Sequence, residues 1–234
     1  MSTQSTNRKR LGILLCGHPP AELQEEFGLY NKHFERLLGP DAFDYEAYAV
    51  VDQQFPESVS DADAWLLTGS KHGVYENHPW IAPLEQFVRD VVSAQLPLVG
   101  ICFGHQLIAQ ALGGTVEKFS GGWAAGTQHY TFSDETGLDA VALNAWHQDQ
   151  VVALPDGARV LASSEHCQYA ALAYNDRTVT MQPHPEFSKE FVAGLLAKRG
   201  NTLPADIKAY VQDTLKQPID ASGIARWLRQ VLNG

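Results

Sequence analysis

Only three cysteines occur in the 234-residue chain: Cys16, Cys102 and Cys167. Their odd number and wide spacing suggest neither a disulfide framework nor a zinc site, and no metal and no cofactor is expected. A reducing, cytoplasmic setting is the expected one. Basic residues are also scarce. Lys and Arg total 17 against 27 Asp and Glu, a formal charge of −10. Phosphate backbones and anionic membranes require a cationic footprint, so neither nucleic acid nor membrane is expected as a partner. Long apolar runs are missing too, none approaching the roughly 20 residues of a membrane span. Asn7-Arg8-Lys9-Arg10 before Leu11-Gly12-Ile13-Leu14-Leu15-Cys16 has the charge order of a signal peptide. That apolar run is too short for one and stops at Gly17-His18-Pro19-Pro20, so it reads as a buried first strand of a soluble protein.

What the chain does have is ordinary globular material, 44% hydrophobic and 19% charged, enough for a sizeable core. Residues 1–9 are polar and read as a disordered tail, with one domain expected over 10–234. Strands are predicted near 10–16, 43–50 and 63–68, with one helix over 21–38 and another over 83–94. Leu96 to Ile101 is wholly apolar, as a central parallel strand covered on both faces would be. This order implies a doubly wound α/β fold, a three-layer αβα sandwich around a mostly parallel sheet. Short strand-like pieces from 115 to 182 add a small antiparallel β part, and two helical stretches near 187–199 and 203–231 finish the chain.

Gly100-Ile101-Cys102-Phe103-Gly104 is a G-x-nucleophile-x-G elbow with cysteine in place of serine. It follows the apolar strand directly and precedes a helix, the context such a turn requires. The nucleophile of an elbow is strained, and its neighbours must be small. Amides and the dipole at the helix start favour a thiolate, and the Phe103 amide is placed to receive an oxyanion. A cysteine nucleophile needs an imidazole as proton acceptor and donor. Among nine histidines, His184 stands out in Gln182-Pro183-His184-Pro185-Glu186, because two prolines deny it helix or ladder roles. Glu186 can hold its far ring nitrogen. His105 reads as a packing residue on the elbow helix. His147 lies in a second cluster preceded by no strong strand, and His72 and His78 could line a cleft without doing chemistry.

The elbow through His105-Gln106, followed downstream by His184-Pro185-Glu186, resembles the class I glutamine amidotransferases. Leu67-Thr68-Gly69-Ser70 with Val74-Tyr75-Glu76 is similar to that family's oxyanion segment, and Asn144 to Asp149 to its substrate-side region. The likeness runs over roughly residues 10–195. It implies a flavodoxin-like fold of that family's kind, with Cys102 as nucleophile, His184 as base and acid, and Glu186 as orienter. It implies that the Gly69 and Phe103 amides form the oxyanion hole. Ser70, Gln106, Trp146 and His147 would then contact the glutamyl group. Ser70 departs from the family, where a second glycine is common. Gly-Ser at this place is shared with stand-alone relatives of the GMP synthase amidotransferase part and with γ-glutamyl peptidases.

The expected reaction is cleavage of a γ-amide in glutamine or a γ-glutamyl compound through a Cys102 thioester. The expected partner is the small-molecule substrate. A separate synthase subunit to receive ammonia is one alternative, and a peptidase working without one is the other. Two further readings stay open from the residues alone. One is a cysteine hydrolase of the α/β-hydrolase type using Asp149 as its acid, and the other is a non-catalytic binding module of the same fold.

Overall fold

The computed structural model describes residues 8–234, so the tail expected over 1–9 falls, for residues 1–7, outside the described residues. Three apolar segments, β1 (Arg10–Leu14), β3 (Ala64–Leu67) and β4 (Leu98–Ile101), form the parallel heart of the sheet, with β2 (Asp44–Tyr48) at its edge. β3 and β4 are buried at every position, which is what helices on both faces require. Alternate side chains serve two cores. Leu11, Ile13, Leu66, Val99 and Ile101 face one, and Leu14, Trp65, Leu67 and Leu98 face the other.

Helices complete the layers. α1 (Ala21–Phe27) and α2 (Tyr30–Leu38) cover the first core, and α3 (Ile81–Ser93) and α4 (Phe103–Ala111) cover the second. The single helix expected over 21–38 is in fact two. Gly28, at φ 82°, ends α1 by donating its N–H to Gln24 O, a left-handed exit open to glycine.

After α4 come β5 (Thr115–Lys118), β6 (Ala124–Phe132), β7 (Val141–His147), β8 (Asp149–Ala153), β9 (Arg159–Ser163), β10 (Ala171–Ala173) and β11 (Thr178–Met181). β11 lies parallel beside β4. Beyond it β10, β9, β6 and β7 continue the same nine-stranded sheet as antiparallel neighbours, and β5 and β8 make a separate pair. The sequence therefore understated β7, which pairs with β6 along its whole length from His147 to Val141. α5 (Lys189–Arg199), α6 (Ala205–Thr214) and α7 (Ser222–Asn233) close the chain on the first core. Among the described residues no helix is long and apolar enough to cross a membrane.

Candidate active site

The parallel strands all deliver their C-terminal ends to one edge of the sheet, where α/β sheets form their clefts. Cys102 occupies the single residue between β4 and α4, with φ 53° and ψ −103°. This backbone is rare for a residue with a Cβ and stores on the order of 1–3 kcal/mol. The flanking glycines are explained by packing. A methyl group at Gly100 would lie 2.6 Å from the Gly104 carbonyl oxygen, and one at Gly104 would lie 2.6 Å from that of Leu67. The helix therefore starts hard against two strands, with the thiol over its first turn.

β11 brings the second group to the same edge. The Cys102 N–H donates to Met181 O at 2.9 Å, so the chain leaving β11 passes beside the elbow. His184 follows, with its Nδ1 2.7 Å from Glu186 Oε1 and both side chains almost wholly shut off from solvent. Burial alone would lower the His184 pKa. The charges of Glu186 and Cys102 and hydrogen bonds to both outweigh it and raise the pKa above the ordinary imidazole value. Glu186 stays outside α5 because Ser188 caps that helix, its Oγ accepting from Phe191 N at 3.2 Å.

Gly69, at the end of β3, closes the triangle. A methyl group there would sit 2.8 Å from His184 Cε1 and 3.7 Å from Cys102 Cβ. The Phe103 amide opens α4, where helix geometry leaves N–H groups without intrahelical partners. Cys102, His184, Glu186, Gly69 and Phe103, singled out in separate parts of the sequence, thus meet in one place.

Three features of this place were not expected. Phe187 lies flat on His184, ring centroids 3.9 Å apart at 3°, and Tyr30 stacks behind it at 6.0 Å. Asn144 clasps the turn, its carbonyl accepting from His184 N at 2.8 Å and its Nδ2 donating to Phe187 O at 3.0 Å. Tyr75 Oη donates to Asp149 Oδ2 at 3.0 Å, joining the loop after β3 to the β7–β8 corner. Asp149 therefore engages Tyr75, while the acid on His184 is Glu186.

A cavity of about 560 Å³ opens over Cys102 and His184. Ser70, Gln106, Trp146 and His147 all line it, as do the cationic side chains Lys71, Lys118 and Arg199. Gln106 donates both its amide protons within the protein, to Asp149 O at 2.8 Å and Gln182 Oε1 at 3.0 Å, which leaves its Oε1 as an acceptor. Burial, joined by the charge of His184, pushes the His147 pKa down to about 3, so that ring is neutral. Its Nδ1 lies 3.2 Å from Asp149 O and its Nε2 has no partner within the protein. His105, on α4, does not line the cavity; it is buried with Nδ1 2.7 Å from Thr180 Oγ1.

Comparison with known proteins bears on what such a site does. The family model described as glutamine amidotransferase class-I matches residues 45–193. γ-Glutamyl peptidase 3 of Arabidopsis thaliana is 28% identical over 198 residues, 79% of this chain and 80% of its own length. One subunit of the glutamine-hydrolysing GMP synthase of Halobacterium salinarum is 33% identical over 160 residues, 66% of this chain and 82% of its own. A glutamine amidotransferase structure from Methylobacillus flagellatus superposes with a TM-score of 0.76 at 20% identity, covering 98% of this chain and 94% of that one. One from Thermotoga maritima gives 0.74 at 19% identity, covering 97% of each chain. At those identities the structural likeness speaks for the fold.

Proposed function

Because the chain belongs to the class I glutamine amidotransferase family, we propose that it hydrolyses the γ-amide bond of glutamine or of a γ-glutamyl compound through a thioester on Cys102. The observation that carries this reading is the strained Cys102 of the elbow, set beside a buried His184–Glu186 pair and against Gly69. The Cys102 thiolate adds to the γ-carbonyl carbon, and the negative oxygen is received by the Gly69 and Phe103 amides. The C–N bond then breaks as the His184 imidazolium gives its proton to the departing nitrogen. Water attacks the thioester, His184 takes its proton, and cleavage of the C–S bond returns the thiolate and frees glutamate. Glu186 holds the His184 ring and offsets its positive charge throughout. Ser70, Gln106, Trp146 and His147 hold the glutamyl end, with Gln106 Oε1 and the neutral His147 ring as acceptors.

A γ-glutamyl peptide is favoured over free glutamine by the walls of the cavity. Its charged lining residues are three cations, Lys71, Lys118 and Arg199, against two acids, Glu76 and Asp149, a small cationic excess that suits a substrate bearing a second carboxylate. Leu195, Arg199 and Thr202, beyond the family's matched span of 45–193, close part of the wall, so the chain supplies its own substrate site. On this reading it acts in the cytoplasm without a synthase subunit. The test is a parallel assay of the purified chain on glutamine, γ-glutamyl amines and γ-glutamyl peptides, with Cys102→Ala as control. Glutamate release that persists in Cys102→Ala refutes the thioester. Turnover only when a synthase partner is added refutes the stand-alone peptidase.

A further inference from the structure

The loop between β3 and α3 carries three polar side chains that the reaction above does not use. His72, Glu76 and His78 converge, with Glu76 Oε2 3.2 Å from His72 Nδ1 and 2.6 Å from His78 Nε2. One ligand atom from each residue lies within 4.8 Å of the other two. The backbone fixes this approach: Glu76 N–H donates to Gly73 O at 3.1 Å, and His78 N–H to Glu76 O at 3.0 Å. Behind His78 stands the buried Trp80, stacked on it at 6.0 Å and 17°, and Trp80 in turn packs on Phe103 at 5.3 Å. The two imidazoles are themselves in edge contact, centroids 4.2 Å apart.

We propose that His72, Glu76 and His78 form a binding site for a divalent ion of the zinc class, Zn²⁺, Co²⁺ or Ni²⁺, at the rim of the cavity. Two imidazoles and one carboxylate are the ligand set such ions take, whereas Mg²⁺ and Ca²⁺ require a shell of oxygens. Both rings now direct a nitrogen at one carboxylate oxygen. An ion seated among the three atoms takes the place of the two protons shared there, each ring carrying its proton on its other nitrogen instead. Three protein ligands leave coordination positions for water or a substrate carboxylate. His72 and Glu76 also line the cavity that contains Cys102, so those positions adjoin the proposed substrate site. The ion site itself stands whether or not the γ-glutamyl reading does, because its test is binding.

The experiment is a titration of the full chain carrying Cys102→Ser, which removes the competing thiol of the cavity. Zn²⁺ is followed by calorimetry, Co²⁺ by its visible absorption, and Mg²⁺ serves as control. The expected result is one Zn²⁺ per chain at micromolar affinity, no Mg²⁺ binding, and a Co²⁺ spectrum free of thiolate charge-transfer bands. Adding His78→Ala should weaken Zn²⁺ by roughly 10- to 100-fold or more. His78 is a partly exposed loop residue, so thermal stability without metal should be retained and shows that the variant folds. Absence of saturable Zn²⁺ binding overturns the proposal, as does equal affinity in the His78→Ala and His78-containing chains.

Discussion

His184 Nδ1 and Glu186 Oε1 lie 2.7 Å apart beneath the cavity, in a pair whose side chains solvent hardly reaches. A buried carboxylate so placed selects the His184 tautomer that presents Nε2 for proton transfer, and it stabilises the imidazolium. Glu186→Gln keeps the shape and removes the charge. We expect kcat to fall on the order of 10³–10⁴-fold. Thermal stability should fall as well, because the buried His184 ring loses the carboxylate that offsets its charge. Steady-state kinetics alongside a melting curve checks this; a kcat within a few-fold of the parent would remove Glu186 from the mechanism.

Gly69 makes a steric prediction. The methyl group of Gly69→Ala would lie 2.8 Å from His184 Cε1, closer than any real Cβ contact, so the ring must move. Displacements of this size cost about 100-fold in rate. Overpacking costs about 1–3 kcal/mol in stability. Both losses are expected together, in kcat on a γ-glutamyl substrate and in the urea midpoint. A Gly69→Ala chain with unchanged kcat would mean that His184 does not act from its present position.

Asn144 should act through His184 without touching substrate. In Asn144→Ala the backbone bond to His184 N survives, but the Nδ2 bond to Phe187 O is lost and Thr127 Oγ1 loses Asn144 Oδ1, 3.3 Å away. An orphaned buried partner costs about 1–3 kcal/mol. Phe187 is then free to shift off the His184 face, so kcat should drop while KM holds. Equal losses in both would point to a substrate contact instead.

Much of this was legible in the sequence, and the reason differs by residue. Cys102 could be found because an elbow needs glycines at 100 and 104 and an apolar strand before it, constraints written within a few residues. His184 and Glu186 could be found because Pro183 and Pro185 keep them out of helix and continuous strand, although His184 does make an isolated antiparallel bridge to Asn144 that the prolines were expected to deny it. β7 was harder to read. Val141-Ala142-Leu143-Asn144-Ala145-Trp146-His147 holds two alanines and an asparagine, poor strand formers, and is fixed by pairing with β6. Without β7 as a strand, Asn144 could not be seen facing His184. The flat contact of Phe187 depends on α5 beginning only after Ser188, a difference of two residues that periodicity does not resolve. The His72, Glu76 and His78 cluster follows no helical or strand period, so only the folded loop brings it together.

Acid stability offers a test of the buried histidines. Burial lowers the pKa of His105 to about 3, with a small opposing contribution from the Tyr169 backbone, and burial likewise brings His33 to about 4 and His147 to about 3. Each is neutral when folded, yet binds a proton near pH 6.5 once unfolded. Below that pH the unfolded state therefore holds more protons, and stability must fall as pH falls, through a window that ends near each folded value. His184 is the opposite case. Its pKa is raised in the fold, so its contribution is fully present below pH 6.5 and is lost only as pH rises through the folded value. The slope between about pH 5 and 6.5, above most carboxylate titrations, thus reports the neutral buried rings. Replacing one of them, His105→Gln, should reduce that slope by up to about 1.4 kcal/mol per pH unit, whatever it does to absolute stability. Urea unfolding of both chains at several pH values measures it. Identical slopes would show that His105 takes up its proton in the folded state as readily as in the unfolded one.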